Sequence, residues 1–153
     1  DLLLRAARAN PRLHLATDVI AGFPGETDAE FAETEALLAE LPLASLHVFP
    51  FSPRTGTAAA AQPAGASVPA SLRTRRAARL RARAATLLRR FAAAHDGRAA
   101  DVVALRGDVG LTETYVEVAL PPSGPPPASR FAALLALRPD GGLDARPAVP
   151  FSC

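Results

Sequence analysis

Residues 14–51 read HLATDVIAGFPGETDAEFAETEALLAELPLASLHVFPF. His14 to Ala21 is rich in Val, Ile and Thr and stops at Gly22, which is the pattern of a β-strand. Gly22-Phe-Pro-Gly25 is a turn. Thr27-Asp-Ala-Glu30 has the spacing of a capping box. The Thr hydroxyl accepts from the amide three residues on, the Glu carboxylate reaches back to the Thr amide, and a helix starts there. Phe31, Leu37, Leu38 and Leu41 give this helix an apolar side, acids fill the other, and Pro42 ends it. Ser45 to Phe51 is a second short apolar strand. Strand, capped helix and strand form a βαβ unit, so the two strands are expected to be parallel and adjacent, joined by a right-handed crossover. Ligands of parallel α/β sheets sit at the carboxyl ends of the strands. The loops Gly22 to Glu26 and Ser52 to Thr57 both fall there.

Upstream, Leu2 to Ala9 reads as a helix stopped by Asn10-Pro11. Downstream, Ala58 to Ala70 is built of Ala, Pro, Gly and Ser and reads as a linker or irregular surface segment. Pro69 to His95 is one long helix, with Leu72, Leu80, Ala84, Leu87 and Phe91 forming a stripe and Arg on its flanks; Asp96-Gly97 stops it. From Arg98 the pattern changes to short strands: Ala100 to Leu105, Tyr115 to Leu120, and Phe131 to Leu137. The last is Ala- and Leu-rich enough to suit a helix as well. Pro121 to Pro127 is a Pro-rich loop and Asp140-Gly-Gly142 a hairpin-type turn. Short strands punctuated by turns predict a small β-barrel.

The 153 residues suffice for one domain or two small ones. Apolar residues make up 49%, enough for a core, although much of that is Ala, which buries little area. All 17 basic residues are Arg, and the net charge is only +2, which excludes a strongly polyanion-binding chain as a whole. Local charge is uneven. Asp28 to Glu40 holds five acids and no base, whereas Arg73 to Arg90 holds eight Arg and no acid to relieve their repulsion. There is no Met and the first residue is Asp, so a fragment of a longer protein is expected. Cys153 is the only cysteine and cannot alone make a disulfide or a multi-Cys metal site, which fits a reducing, cytoplasmic setting. No run of apolar residues is long enough to span a membrane.

The residues themselves leave several readings open. Gly22 to Glu26 lacks the Gly-Lys-Ser/Thr ending of a P-loop and the spacing of a dinucleotide fingerprint. It is either a plain capped strand-to-helix turn or a turn whose glycines let backbone approach a ligand. His47, alone in an apolar strand without zinc-site spacing to any partner, reads as structural rather than catalytic. Arg54, just past a strand end, either holds a carboxylate or phosphate or faces solvent. The Arg73–Arg90 helix is either a solvated face or an RNA-phosphate contact.

Thr17-Asp-Val-Ile-Ala-Gly-Phe-Pro-Gly-Glu-Thr27, followed about twenty residues later by His47-Val-Phe-Pro-Phe-Ser-Pro-Arg-Thr-Gly-Thr57, resembles the radical S-adenosylmethionine tRNA methylthiotransferases. The His-Val-Phe-Pro start looks most like the threonylcarbamoyladenosine branch. Gly110-Leu-Thr-Glu-Thr-Tyr115-Val-Glu-Val118 is similar to the Gly-x-Thr-x-Asn-Tyr-x-x-Val segment of a TRAM domain, a small tRNA-binding barrel, with Thr114 where Asn is usual.

This resemblance implies an α/β fold: the C-terminal βαβ portion of a partial radical SAM barrel over residues 1–70, a linking Arg-rich helix over 71–96, and a divergent TRAM-like β-barrel over 97–153. It implies addition of a 2-methylthio group to N6-threonylcarbamoyladenosine beside the anticodon, with S-adenosylmethionine and two [4Fe–4S] clusters in the full enzyme. The cluster cysteines are absent from this sequence, so the chain alone is expected to be inactive. By the same resemblance Ile20, Gly22, Phe23, Gly25 and Glu26, then Phe49, Phe51 and Arg54, would shape the S-adenosylmethionine pocket. Arg75, Arg79 and Arg83, with Thr112 and Tyr115, would contact the tRNA anticodon stem-loop. No residue is expected to act as general acid or base, since the cofactor carries the hard step. Two alternatives remain: a non-catalytic tRNA-binding module, and a piece of an isopentenyladenosine-tRNA or ribosomal-protein methylthiotransferase.

Overall fold

The computed structural model describes residues 2–122 and 124–148. Cys153 therefore lies outside the described residues. The chain forms two compact units. The first comprises residues 1–11 and 15–87, and the second residues 12–14 and 88–153.

In the first unit α1 (Leu2–Ala9) precedes β1 (Ala16–Ala21), α2 (Asp28–Glu40) and β2 (Ser45–Pro50). β1 and β2 pair in parallel, from Ala16 opposite Ser45 to Ala21 opposite Pro50, so the expected βαβ pairing is present. The capping box forms as read: Glu30 N–H donates to Thr27 Oγ1 at 3.2 Å, and Thr27 N–H donates to Glu30 Oε2 at 2.8 Å. Helix α3 (Ala70–Ala93) follows, and the part up to Leu87 belongs to this unit. Phe31 and Leu38 of α2, Leu46 and Val48 of β2, and Ala77, Leu80 and Leu87 of α3 share one core.

Two expectations change here, and one of two open readings is decided. Leu37 does not join the apolar side of α2. The buried row runs through Phe31 and Leu38, two turns apart, and Leu37 sits about 100° around the helix from its neighbour, exposed. The Ala58 to Ala70 stretch is an anchored surface segment, for Ala66 O accepts the Gly25 N–H at 2.7 Å and Val68 is buried. The Arg residues of α3 are not confined to its flanks, because Arg76 lies within the buried stripe.

The second unit is a closed five-stranded barrel in the order β3-β4-β5-β7-β6, built from β3 (Ala99–Ala104), β4 (Val109–Thr112), β5 (Glu117–Ala119), β6 (Arg130–Leu137) and β7 (Leu143–Pro147). Residues 130–137 are strand, not helix. Alternate residues Ala133 and Leu135 point into the barrel, a period of two that a helix cannot present. The Asp140-Gly-Gly142 hairpin joins β6 to β7, with Gly142 N–H donating to Asp140 Oδ1 at 2.9 Å. The barrel interior is narrow and filled with small side chains, including Ala100, Ala104, Ala133 and Ala145 around Val102, Leu135 and Leu143. Gly110 faces this interior, and a Cβ there would stand 2.5 Å from Val102 Cγ1, so only glycine fits. The expected strand Tyr115 to Leu120 shortens to β5, because Tyr115 adopts φ 58° and turns the chain between β4 and β5.

Candidate functional site

Ile20 and Phe49 are register partners on β1 and β2. They are 52% and 51% exposed, so one face of the two-stranded sheet carries a bare apolar pair. Asp18 and His47 are partners on the same face and are also exposed. His47 is thus exposed on this face, while its neighbours Leu46 and Val48 are buried on the other. The opposite face, with Ala21, Leu46 and Val48, is covered by α2 and α3. Phe51 N–H extends the pairing by donating to Ala21 O at 2.8 Å. At that end the Phe23 and Phe51 rings meet edge to face, 5.2 Å apart at 71°.

Gly22 makes the bend. Its φ of 74° is the left-handed region, and a Cβ would lie 2.3 Å from Cγ of Arg73, whose stem passes over it. Arg73 then donates to Phe51 O at 2.5 Å, and Arg81 to Val48 O at 3.2 Å. Glu26 turns inward. Its Oε2 accepts from Gly22 N–H at 2.8 Å and from Arg76 Nη1 at 2.6 Å. Arg76 Nη2 donates to Asp28 Oδ1 at 2.6 Å, and Arg79 pairs with Glu35 at 2.6 Å. Both guanidinium groups lie over the Phe31 ring, at 5.2 and 5.3 Å. The acidic and basic stretches therefore meet. At Arg76 and Arg79 the repulsion on α3 is relieved across the fold by Glu26, Asp28 and Glu35. The Asp28 carboxyl is held below the ordinary range by its hydrogen bond to Arg76 and by that group's charge, with Arg75 and Arg79 adding to it. Burial works against the Arg76 charge, but the bonds to Asp28 and Glu26 outweigh it and raise its pKa.

The sequence-predicted residues thus separate by place. Ile20, Phe23, Phe49 and Phe51 gather on and beyond the open sheet face. Gly22, Gly25 and Glu26 shape the adjoining loop, where Glu26 and the Gly25 N–H already have protein partners. Arg54 is exposed in the next loop, and its carbonyl accepts from Thr57 Oγ1 at 2.8 Å. On α3, Arg75 and Arg79 are exposed, while Arg83 is half-buried with its Nε unpartnered. In the barrel, Thr112 is buried and its hydroxyl accepts Val116 N–H at 3.0 Å, whereas Tyr115 is 71% exposed. Arg73 and Arg76 were missed as organisers of the loop. The signal for Arg76 was its spacing, four residues from Leu72 and four from Leu80, which puts it on the inward stripe.

Among the described residues no three His, Cys, Asp or Glu side chains gather as a cation site. The sequence has a single cysteine, Cys153, too few thiolates to hold an iron–sulfur cluster by itself. No described helix is long and apolar enough to cross a membrane.

No protein-family model matches the chain. It is 38% identical over 117 residues to the threonylcarbamoyladenosine tRNA methylthiotransferase of Rickettsia prowazekii, covering 76% of this chain and 27% of that protein. To the Bacillus subtilis protein of the same name it is 34% identical over 127 residues, covering 77% and 28% respectively. To the tRNA-2-methylthio-N(6)-dimethylallyladenosine synthase of Burkholderia mallei it is 54% identical over 57 residues, or 37% of this chain and 12% of that one. The chain spans about a quarter of the length of the first two relatives. With the paired loop motifs at neighbouring strand ends and named relatives of two substrate types, the chain belongs to the tRNA methylthiotransferase family.

Proposed function

We propose that this chain is the C-terminal part of a radical S-adenosylmethionine tRNA methylthiotransferase that modifies N6-threonylcarbamoyladenosine next to the anticodon. In this reading the βαβ unit is one section of a partial barrel, and its bare face is a wall of the cofactor pocket. The observation that carries it is the in-register pair Ile20 and Phe49, exposed on the face the helices leave uncovered and continued by Phe23 and Phe51. Parallel sheets are ordinarily covered on both faces, so this face calls for an occupant. The two relatives matched over three quarters of the chain are named for threonylcarbamoyladenosine tRNA, which supports that branch.

S-Adenosylmethionine fits the residues present. Its adenine is a flat heterocycle suited to Ile20, Phe49 and the Phe23–Phe51 pair. Bound there, the cofactor supplies the sulfonium chemistry that side chains lack. The chain's own residues orient and exclude water: Gly22 and Gly25 keep the loop close to the sheet, and Glu26, gripped by Arg76, fixes its shape. Arg54 at the rim is a partner for a carboxylate or a phosphate. Arg75, Arg79 and Arg83 on α3, and Tyr115 in the TRAM-like barrel, are the tRNA-contacting groups of this reading; Thr112, expected with them, is buried with its hydroxyl engaged by Val116 N–H and serves the turn instead. Cluster ligands would have to come from outside the described residues. A cytoplasmic setting follows from tRNA as substrate.

The test is a graft. The chain replaces the matched segment of the Bacillus subtilis relative in a strain lacking that relative, and digested tRNA is measured for methylthiolated nucleosides. Restoration is expected with the native graft, and loss with Ile20→Asp or Phe49→Asp. Unimpaired methylthiolation with both substitutions would sink the cofactor-wall reading. A folded graft that binds tRNA without modifying it would favour the binding-module alternative.

A further inference from the structure

The β4–β5 turn carries an exposed aromatic side chain at its left-handed position. Tyr115 has φ 58°, a region unfavourable for a bulky L-residue. Burial of the ring does not compensate, since Tyr115 is 71% exposed. Strain of this kind persists only where surrounding groups over-determine it, and it collects at functional positions.

The over-determination is polar and largely buried. Thr112 N–H donates to Val116 O, and Val116 N–H donates to Thr112 Oγ1, each at 3.0 Å. The Thr112 and Thr114 hydroxyls are 3.1 Å apart, and Thr114 Oγ1 is 3.3 Å from His95 Nε2. His95, itself buried, has Nδ1 2.8 Å from Phe91 O. A carbonyl can only accept, so Nδ1 carries the proton, and Nε2 of the neutral ring is left as an acceptor. The chain of bonds then runs one way: Val116 N–H to Thr112, Thr112 O–H to Thr114, Thr114 O–H to His95. On the other side of the turn, Glu113 N–H donates to Asp101 O at 3.1 Å, and Asp101 N–H donates to Glu113 Oε2 at 3.0 Å. The His14 ring lies 6.3 Å from that of Tyr115, tilted at 48°, and meets the Phe91 ring edge to face at 5.3 Å.

We propose that Tyr115, with His14 beside it, is a stacking platform for one unpaired RNA base, and that His95 is a positioning residue holding the platform outward through Thr114 and Thr112. A rigidly presented aromatic face gains from any planar heterocycle and loses little side-chain entropy on binding. Residues 113–117 include no basic side chain that could hold a phosphate beside Tyr115. The contact is therefore to the base. A duplex, whose bases are already stacked and enclosed, does not offer one. This inference rests on the RNA-binding reading of the barrel, and it fails separately from it.

The chain has one Tyr and no Trp, so its intrinsic tyrosine emission comes from Tyr115 alone. The experiment titrates the 153-residue chain with a single-stranded RNA of about seven nucleotides, within the site size of small barrels. The duplex of the same sequence is titrated alongside, and affinity is read separately from the anisotropy of end-labelled RNA. Saturable quenching by the single strand and none by the duplex is expected. Tyr115→Ala should weaken binding roughly 5- to 150-fold, the range for loss of one base–aromatic stack. Thr114→Val, which removes the hydroxyl at nearly constant shape, should reduce both affinity and quenching, and Thr114→Ser should restore them; thermal melting checks that each variant is folded. Binding with unchanged tyrosine emission would overturn the platform while leaving RNA binding by the barrel standing. Absence of binding to either RNA would overturn both. Native affinity and quenching in a folded Thr114→Val protein would overturn the positioning role of His95.

Discussion

Removing the Arg76 side chain tests the link between the two oppositely charged stretches. Its guanidinium is 3% exposed and bonds Glu26, 13% exposed, and Asp28, 90% exposed. In Arg76→Ala the Glu26 carboxylate stays largely buried with Gly22 N–H as its remaining partner. Breaking a buried pair from one side costs about 3–5 kcal/mol. The low end applies, because Glu26 keeps some solvent contact and Arg76 Nε is itself unpartnered in the native fold. The Asp28 arm adds little, since solvent screens it. A loss of about 3 kcal/mol corresponds to a midpoint shift of roughly 2–3 M urea for a unit this small. The assay is urea unfolding followed by circular dichroism at a helix wavelength. Arg76→Met combined with Glu26→Gln removes both charges at similar volume, and should recover stability to within about 1 kcal/mol of native. If Arg76→Met alone cost less than about 1 kcal/mol, the pair would not organise the loop and the reasoning would fail.

Gly22→Ala should destabilise by about 2 kcal/mol or more, since it combines a left-handed backbone with displacement of the Arg73 stem from over the strand end. Chemical denaturation checks it, and a native midpoint would mean that Arg73 is not held there. Thr27→Ala should cost about 1 kcal/mol by removing the cap hydroxyl that the Glu30 amide donates to, with helix content as the readout. The carboxyls of Asp28, Glu30 and Asp140 are all depressed: by the Arg76 hydrogen bond, by Thr27, and by the Gly142 amide respectively. A carboxyl depressed on folding contributes stability that is fully present above its unfolded pKa, about 4, and is lost as pH falls through the folded value. The melting temperature should therefore stay level from neutral pH down to about 5 and fall below about 4. A decline already complete at pH 5 would contradict these assignments.

The local sequence by itself determined the elements of the first unit. Residues 16–21 and 45–50 declared themselves by β-branched and aromatic content, and Thr27 with Glu30 named the start of α2, because a capping box is satisfied within one turn and needs no tertiary partner. The barrel was legible as a class, but its strands were less so. β4 and β7 are short, and the left-handed Tyr115 interrupts an otherwise regular alternation. That conformation is imposed by hydroxyls and by a histidine nineteen positions away from Thr114, which no local window contains.

The loop motifs at residues 22–26 and 52–57 could likewise be placed at neighbouring strand ends from the sequence. Which of their side chains face outward was a tertiary matter. Glu26 turns in because Arg76, fifty residues distant, supplies a buried positive charge, and Arg76 and Arg79, two of the eight Arg of residues 73–90, are paired with acids once α2 lies against them. Spacing along the chain fixes hydrogen bonds that close within a turn or between strands of a short unit. Charge pairing and burial depend on which surfaces packing brings together, and only the folded chain decides those.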